Sequence, residues 1–216
     1  EIRLSLVGSE MCIRDSSYAI CVCNEHVELN SLLSFLVKVI DNEDEINILV
    51  DSGKVTDEVH SVLKKFEDRI IVHKRKFCGN FSNHRNYHIT KCTGDYIFVL
   101  DADEIPQEAL IKNIKAFDGD ILIIPRINII PGYTEEWCTK MNFSVNEMGW
   151  INWPDYQGRL FKNNGKITWS LGLHERLVGS NKFAQLQANP QLALWHIKTV
   201  QKQEKQDIFY KNLKED

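Results

Sequence analysis

Short apolar runs at Ser17–Cys23, Ile46–Val50, Ile70–Val72, Tyr96–Leu100 and Ile121–Ile124 are separated by segments that read as helices. The first of these carries Leu29, Leu32, Leu33, Leu36, Val37 and Ile40 at helical spacing, and an acidic turn, Asp41–Asp44, closes it. The second can be capped by Thr56 and runs to Phe66; the third covers Phe81 to Lys91; the fourth runs from Pro106 to Phe117. Strand and helix alternating in this way predict a doubly wound α/β fold. Its sheet is mainly parallel and flanked by helices, with right-handed crossovers. The length of 216 residues suits one large domain or two small ones.

The fourth strand ends in Asp101-Ala102-Asp103-Glu104, and carboxylates are costly to bury unpaired. In open α/β sheets ligands gather at the carboxyl ends of strands, where this cluster falls. Asn24-Glu25 follows the first strand and Asp51-Ser52-Gly53 the second, so acids recur at the same edge. The bland alternative is a solvated turn in which Asp103 or Glu104 starts the helix that Pro106 opens. Glu104 is assigned to that helix start. Arg85 lies on the third helix, where it can hold a phosphate or brace the acids; a merely structural Arg is the alternative.

Beyond Arg126 the alternation stops. Residues 127–154, with Trp137, Trp150 and Trp153, read as loops and short strands that build a pocket wall. Such rings suit the apolar faces of sugars and suit a core equally well. Gln157–Phe161 and Lys166–Trp169, joined by Asn163-Asn164-Gly165, predict a hairpin. Gly172 to Arg176, a strand ending at Trp195-His196 and a polar helix through Lys211 complete the chain, which is expected to stop short within that helix. Residues 1–16 have weak periodicity and look like an adapter-derived leader, leaving 17–216 as a single domain with no linker or repeat.

A net charge of -4 with scattered Lys and Arg argues against a nucleic-acid-binding stripe. The six cysteines, Cys12, Cys21, Cys23, Cys78, Cys92 and Cys138, lack paired metal-site spacing and read as reduced thiols in a cytoplasmic setting. No apolar run is long enough to span a membrane, which leaves peripheral contact with the membrane face open.

Asn24-Glu25, Asp51-Ser52-Gly53, FSNHRNYHITKCTGDYIFVLDADE, DYQGRLF and LHE, in that order, resemble family 2 glycosyltransferases of the GT-A fold. The likeness runs over residues 17–200 and is strongest to the branch that includes lipopolysaccharide-core glucosyltransferases. The chain departs from the pattern at Cys23, where an aromatic is usual, and at His84, where Gln is usual. The resemblance implies a nucleotide-binding half over about 17–126 and an acceptor-side half over about 127–200. It implies a nucleotide-sugar donor, UDP-linked, and a glycan or lipid-linked acceptor.

It further implies that Asp103 binds a divalent Mn or Mg ion, with His196 completing the metal shell. Hard oxygen ligands suit such ions, and magnesium commonly takes one or two carboxylates plus phosphates. Asp101 would face the ribose, Asp51 the nucleobase, and Asn24, Glu25 and Arg85 would line the nucleotide pocket. Glu175 would be the catalytic base of an inverting, metal-dependent transfer, with His174 a rival for either its role or that of His196. Glu175 can instead simply pair with Arg176 or Arg159, and His196 can be a core histidine. Two other functions stay open: a catalytically idle scaffold that binds nucleotide or sugar, and a sugar-phosphate nucleotidyltransferase. The latter is expected to carry a glycine-rich loop where this chain has Asn24-Glu25-His26.

Overall fold

The computed structural model describes residues 15–213. Strands β1 (Ser16–Val22), β2 (Glu45–Asp51), β3 (Ile71–Arg75) and β4 (Tyr96–Asp101) form a parallel block in the order β3-β2-β1-β4. They are linked through α1 (His26–Val39), α2 (Asp57–Lys65) and α3 (Phe81–Ile89). After β1 the chain builds outward to β3, and α3 then returns it to the opposite side of β1. A switch point therefore lies between the carboxyl ends of β1 and β4, where Cys21 pairs with Asp101.

Beyond β4 the sheet becomes mixed. A short β5 (Glu104–Pro106) precedes α4 (Glu108–Ile114) and β6 (Ile121–Ile129); α5 (Glu135–Lys140) then leads to the long β7 (Ile151–Lys162). β7 inserts antiparallel between β4 and β6. β8 (Thr168–Ser170) and β9 (Arg176–Val178) form a separate antiparallel pair. β10 (Phe183–Gln185) and β11 (Leu194–Ile197) add in parallel to β6, β11 also pairs with β5, and α6 (Val200–Asn212) follows. The α/β fold with a mainly parallel sheet flanked by helices is as the alternation predicts.

Strand alternation divides the core between the two faces of the sheet. Tyr18, Ile20, Ile48, Phe98 and Leu100 pack on one face against Leu29, Leu32, Leu33 and Leu36 of α1 and Leu110 and Ile111 of α4. Ala19, Ile97, Val99 and Phe161 face the other way, toward Trp169 and Ile89. Thr56 caps α2 as predicted by accepting from the Val59 amide. Gly179 is required at the end of β9: its φ is +100°, and a Cβ there would lie 2.1 Å from the Lys166 carbonyl oxygen.

Two expectations are corrected. The hairpin between 157–161 and 166–169 does not form, because both edges of β7 are already taken, with Phe161 set between Ile97 and Ile121. The Asn163-Asn164-Gly165 turn exists, with Asn164 Oδ1 accepting from the Lys166 amide, but it leads the chain out of the sheet to β8, whose partner is β9. Pro106 does not open a helix either. It ends β5, an edge strand where a missing N–H is tolerated, and α4 starts at Glu108. Of the expected leader, residues 1–14 lie outside the described residues, and Ser16 opens β1.

Candidate active site

The carboxyl edge of the parallel block delivers Asn24-Glu25, Asp51 and Asp101 from β1, β2 and β4. β7 enters from the same edge in the opposite direction, carrying Asp155 and Arg159, while β11 supplies His196. Glu175 arrives on the loop before β9. That loop is fastened to α3 by the Phe81 amide, which donates to the Gly172 carbonyl at 2.8 Å. Leu171 (φ +72°) and His174 (φ +56°) both take left-handed backbone there, which is uncommon for residues that carry a Cβ and rarer for Leu than for His.

Arg85 ties three elements together. Its Nε donates to Glu175 Oε1 at 2.7 Å and its Nη2 to Asp101 Oδ1 at 2.7 Å, while the guanidinium lies 5.2 Å from the Trp169 ring. Neighbouring Asn86 exchanges two hydrogen bonds with the Trp169 backbone, at 2.8 Å each, so α3 also positions β8. Arg85 Nη1 is buried without a partner. An orphaned guanidinium donor at the switch point suits a phosphate oxygen.

Behind Asp101 lies a network that sequence reading missed. Arg159 Nη2 donates to Asp101 Oδ2 at 2.7 Å and to Glu104 Oε1 at 2.5 Å. Arg126 bridges Glu104 (2.9 Å) and Asp155 (2.6 Å), and Glu104 Oε2 accepts from the Asp101 amide at 3.1 Å. Glu104 is fully buried and locks the turn that presents Asp101 and Asp103, so its assignment to a helix start is corrected. Asp155, Gln157 and Arg159 recur at a period of two within DYQGRLF, which was the available signal that they share a face. Burial alone would raise the Asp101 carboxyl. The Arg159 and Arg85 guanidiniums outweigh it and hold the group well below the usual carboxylate range.

Asp103 and His196 form a second pair, with His196 Nε2 3.4 Å from Asp103 Oδ2. Asn128 donates through Nδ2 to Asp155, which leaves its Oδ1 as the acceptor for His196 Nδ1 at 2.8 Å. The imidazole therefore turns Nε2 toward Asp103, where the nitrogen and the carboxylate can share a cation. Among the described residues no three His, Cys, Asp or Glu side chains converge as a metal site. Two protein ligands nevertheless fit a hard divalent cation that draws its remaining oxygens from phosphate and water. Lys202 Nζ also lies 3.0 Å from Asp103 Oδ2. Burial would raise the Asp103 carboxyl, but the His196 contact and Lys202 lower it strongly.

The remaining predicted residues sit nearby without joining these networks. Asp51 Oδ1 accepts from the Gly53 and Phe77 amides at 2.9 and 3.0 Å, and the residue is buried. Glu25 Oε2 turns back onto the Cys23 and Asn24 amides, and Asn24 is exposed. The pairing considered for Glu175 with Arg159 or Arg176 gives way to Arg85, because α3 brings that guanidinium between two carboxylates. His174 stacks edge-on against Tyr210 at 6.0 Å.

Residues 17–171 match the family described as glycosyl transferase family 2. The chain belongs to that family. A comparison with curated proteins gives no match. Among solved structures the glycosyltransferase-family chain is similar to S. aureus TarS 1-349, with a TM-score of 0.58 and 14% identity over 85% of this chain and 60% of that one. The same TarS fragment in complex with UDP gives a TM-score of 0.56 and 15% identity, over 87% and 60% of the two chains. In complex with UDP-GlcNAc it gives 0.52 and 14%, over 82% and 60%. This chain thus spans about 60% of the length of those structures, and at such identity the likeness shows the GT-A fold alone. Among the described residues no helix is long and apolar enough to cross a membrane.

Proposed function

We propose that this family 2 chain is a metal-assisted inverting glycosyltransferase, moving a sugar from a nucleotide-sugar to a hydroxyl of a glycan or lipid-linked acceptor in the cytoplasm or at its membrane face. The observation that carries the reading is the meeting of Arg85, Asp101 and Glu175 beside the Asp103–His196 pair at the switch point. The crystallised TarS complexes with UDP and UDP-GlcNAc support a UDP-linked donor as the first choice. Kinship with the lipopolysaccharide-core branch is part of the same proposal.

Asp103 and His196 would hold a Mn or Mg ion, which when bound offsets negative charge on the leaving diphosphate. Arg85 offers its free Nη1 to a phosphate oxygen and keeps Asp101 oriented toward the ribose. Asp51 accepts from the base, and Asn24 and Glu25 wall the pocket. Glu175 is fastened through Oε1, which leaves Oε2 to take the acceptor hydroxyl proton. The oxygen so activated bonds to the anomeric carbon as the bond from that carbon to the diphosphate oxygen breaks, and its electron pair leaves with the diphosphate. Positioning and charge stabilisation supply most of the rate, and base catalysis about 10²–10⁴-fold.

The test is turnover of UDP-sugars with MnCl2. Asp103→Asn and Glu175→Gln are expected to lose it, the latter while still binding nucleotide. Full turnover in Asp103→Asn would contradict the reading.

A further inference from the structure

Helix α6 buries none of its 13 residues, and Ile208 is 61% exposed. A helix with no face in a core depends on the contacts it makes one by one, and belongs to the low-stability end of a fold. Besides Trp137 Nε1 donating to Glu204 Oε1 at 3.2 Å and Lys198 Nζ to Gln206 Oε1 at 2.6 Å, α6 makes a set of contacts along the proposed donor site. Near its start, Lys202 Nζ lies 3.0 Å from both Asp103 Oδ2 and Glu28 Oε1. Near its end, the Tyr210 ring lies 5.9 Å from Phe81 and 6.0 Å from His174, the neighbour of Glu175. Phe209 lies 6.4 Å from the Phe77 ring and 4.7 Å from the Lys54 ammonium. Phe77 donates its amide to the Asp51 carboxylate, and Lys54 donates its amide to the Asp51 carbonyl. From Lys202 to Phe209 the helix rises about 10 Å. It thereby runs from the carboxylate assigned to the cation to the surroundings of the one assigned to the base.

We propose that α6 is a displaceable strap across the donor site, latched by Lys202, whose ammonium occupies the place at Asp103 that a divalent cation would take. This rests on the donor-site reading above. An ammonium and a divalent cation cannot share one carboxylate at close range without strong repulsion, so a metal-bound nucleotide arriving at Asp103 displaces Lys202. At the other end the incoming nucleoside meets Phe209 and Tyr210. Lys202 and Glu28 are each about a third exposed, and pairs of that kind hold weakly, so opening the strap costs chiefly the more buried Lys202–Asp103 contact, which the arriving cation replaces. The latch tunes donor affinity through the fraction of chains with α6 lifted.

Hydrogen exchange on the whole chain, with and without MnCl2 plus UDP or GDP, reads the strap directly; calorimetry on the wild type, Lys202→Ala and Phe209→Ala reads the latch. Amides in 200–212 are expected to lose protection when nucleotide binds, and Lys202→Ala to bind it about tenfold more tightly. Nucleotide that binds while α6 keeps or gains protection, with no gain in affinity in either variant, overturns the strap and leaves the donor site standing. If neither the wild type nor the variants bind any nucleotide, the donor-site reading is overturned, and the strap with it.

Discussion

Arg85 and Glu175, 90 positions apart, meet at 2.7 Å, and the same guanidinium holds Asp101 at 2.7 Å. The proposed base and the acid proposed to face the nucleotide therefore share one cation on α3. Breaking such a buried pair from one side leaves carboxylates uncompensated. Arg85→Ala is expected to lower unfolding stability by about 3–5 kcal/mol and to abolish turnover. Arg85→Lys should restore stability in part but not turnover, because an ammonium cannot reproduce the planar fork. Urea denaturation and a donor-turnover assay on both variants check this.

Glu104 is fully buried between Arg126 and Arg159 and accepts from the Asp101 amide. Glu104→Gln keeps the shape and removes the charge. It is expected to cost about 3 kcal/mol and to weaken Mn-dependent nucleotide binding although Glu104 touches no ligand, since the turn carrying Asp101 and Asp103 loses its anchor. Chemical denaturation and calorimetry on the same sample check both effects.

His88 is 2% exposed, with Nε2 3.1 Å from Asn47 Oδ1 and Nδ1 3.5 Å from Cys21 Sγ. Burial, with Arg85 and His73 nearby, pushes its pKa down to about 3. Below its ordinary value near 6.5 the unfolded chain takes up a proton that the native chain refuses. Stability is accordingly lost as pH falls from about 6.5 toward 3, by up to about 1.4 kcal/mol per pH unit from this group. Denaturation midpoints between pH 7 and 5 should show the slope, and His88→Gln should flatten it.

Two glycines with positive φ should respond differently to alanine. Gly179 would set a Cβ 2.1 Å from the Lys166 oxygen, whereas Gly165 has nothing within 4 Å. Gly179→Ala is expected to cost at least about 2–3 kcal/mol and Gly165→Ala about 1 kcal/mol, measured as thermal and urea midpoints.

The repeating strand and helix patterns made the parallel block legible, because hydrophobic periodicity and Thr56 capping are local signals. The mixed half was less so. Nothing within 157–169 reveals that Phe161 finds Ile97 and Ile121, and the Asn163-Asn164-Gly165 turn is real while its hairpin is not. Site chemistry divided the same way. Asp101, Asp103 and Arg85 stood out as charged groups beside strand ends, Glu175 and His196 only through the family resemblance, and the fold gathers them into two adjoining clusters. Arg126 and Asp155 did not stand out and Glu104 was given to a helix start, because the ion pairs that join them span 22 and 29 positions. Lys202 lay hidden in the largely polar first turns of a helix that carries its aromatic residues, Phe209 and Tyr210, near its end.

Everything proposed for the donor site turns on Asp103 and His196 holding a divalent cation against a nucleotide diphosphate. Calorimetric titration of UDP and GDP into the wild type and Asp103→Asn, with MnCl2 and with EDTA, tests it most directly. One of the two nucleotides should bind the wild type at least about tenfold more tightly with Mn, a difference of about 1.4 kcal/mol, and that difference should vanish in Asp103→Asn. Equal affinity with and without Mn, or a Mn effect that survives Asp103→Asn, would show that this carboxylate does not hold the cation.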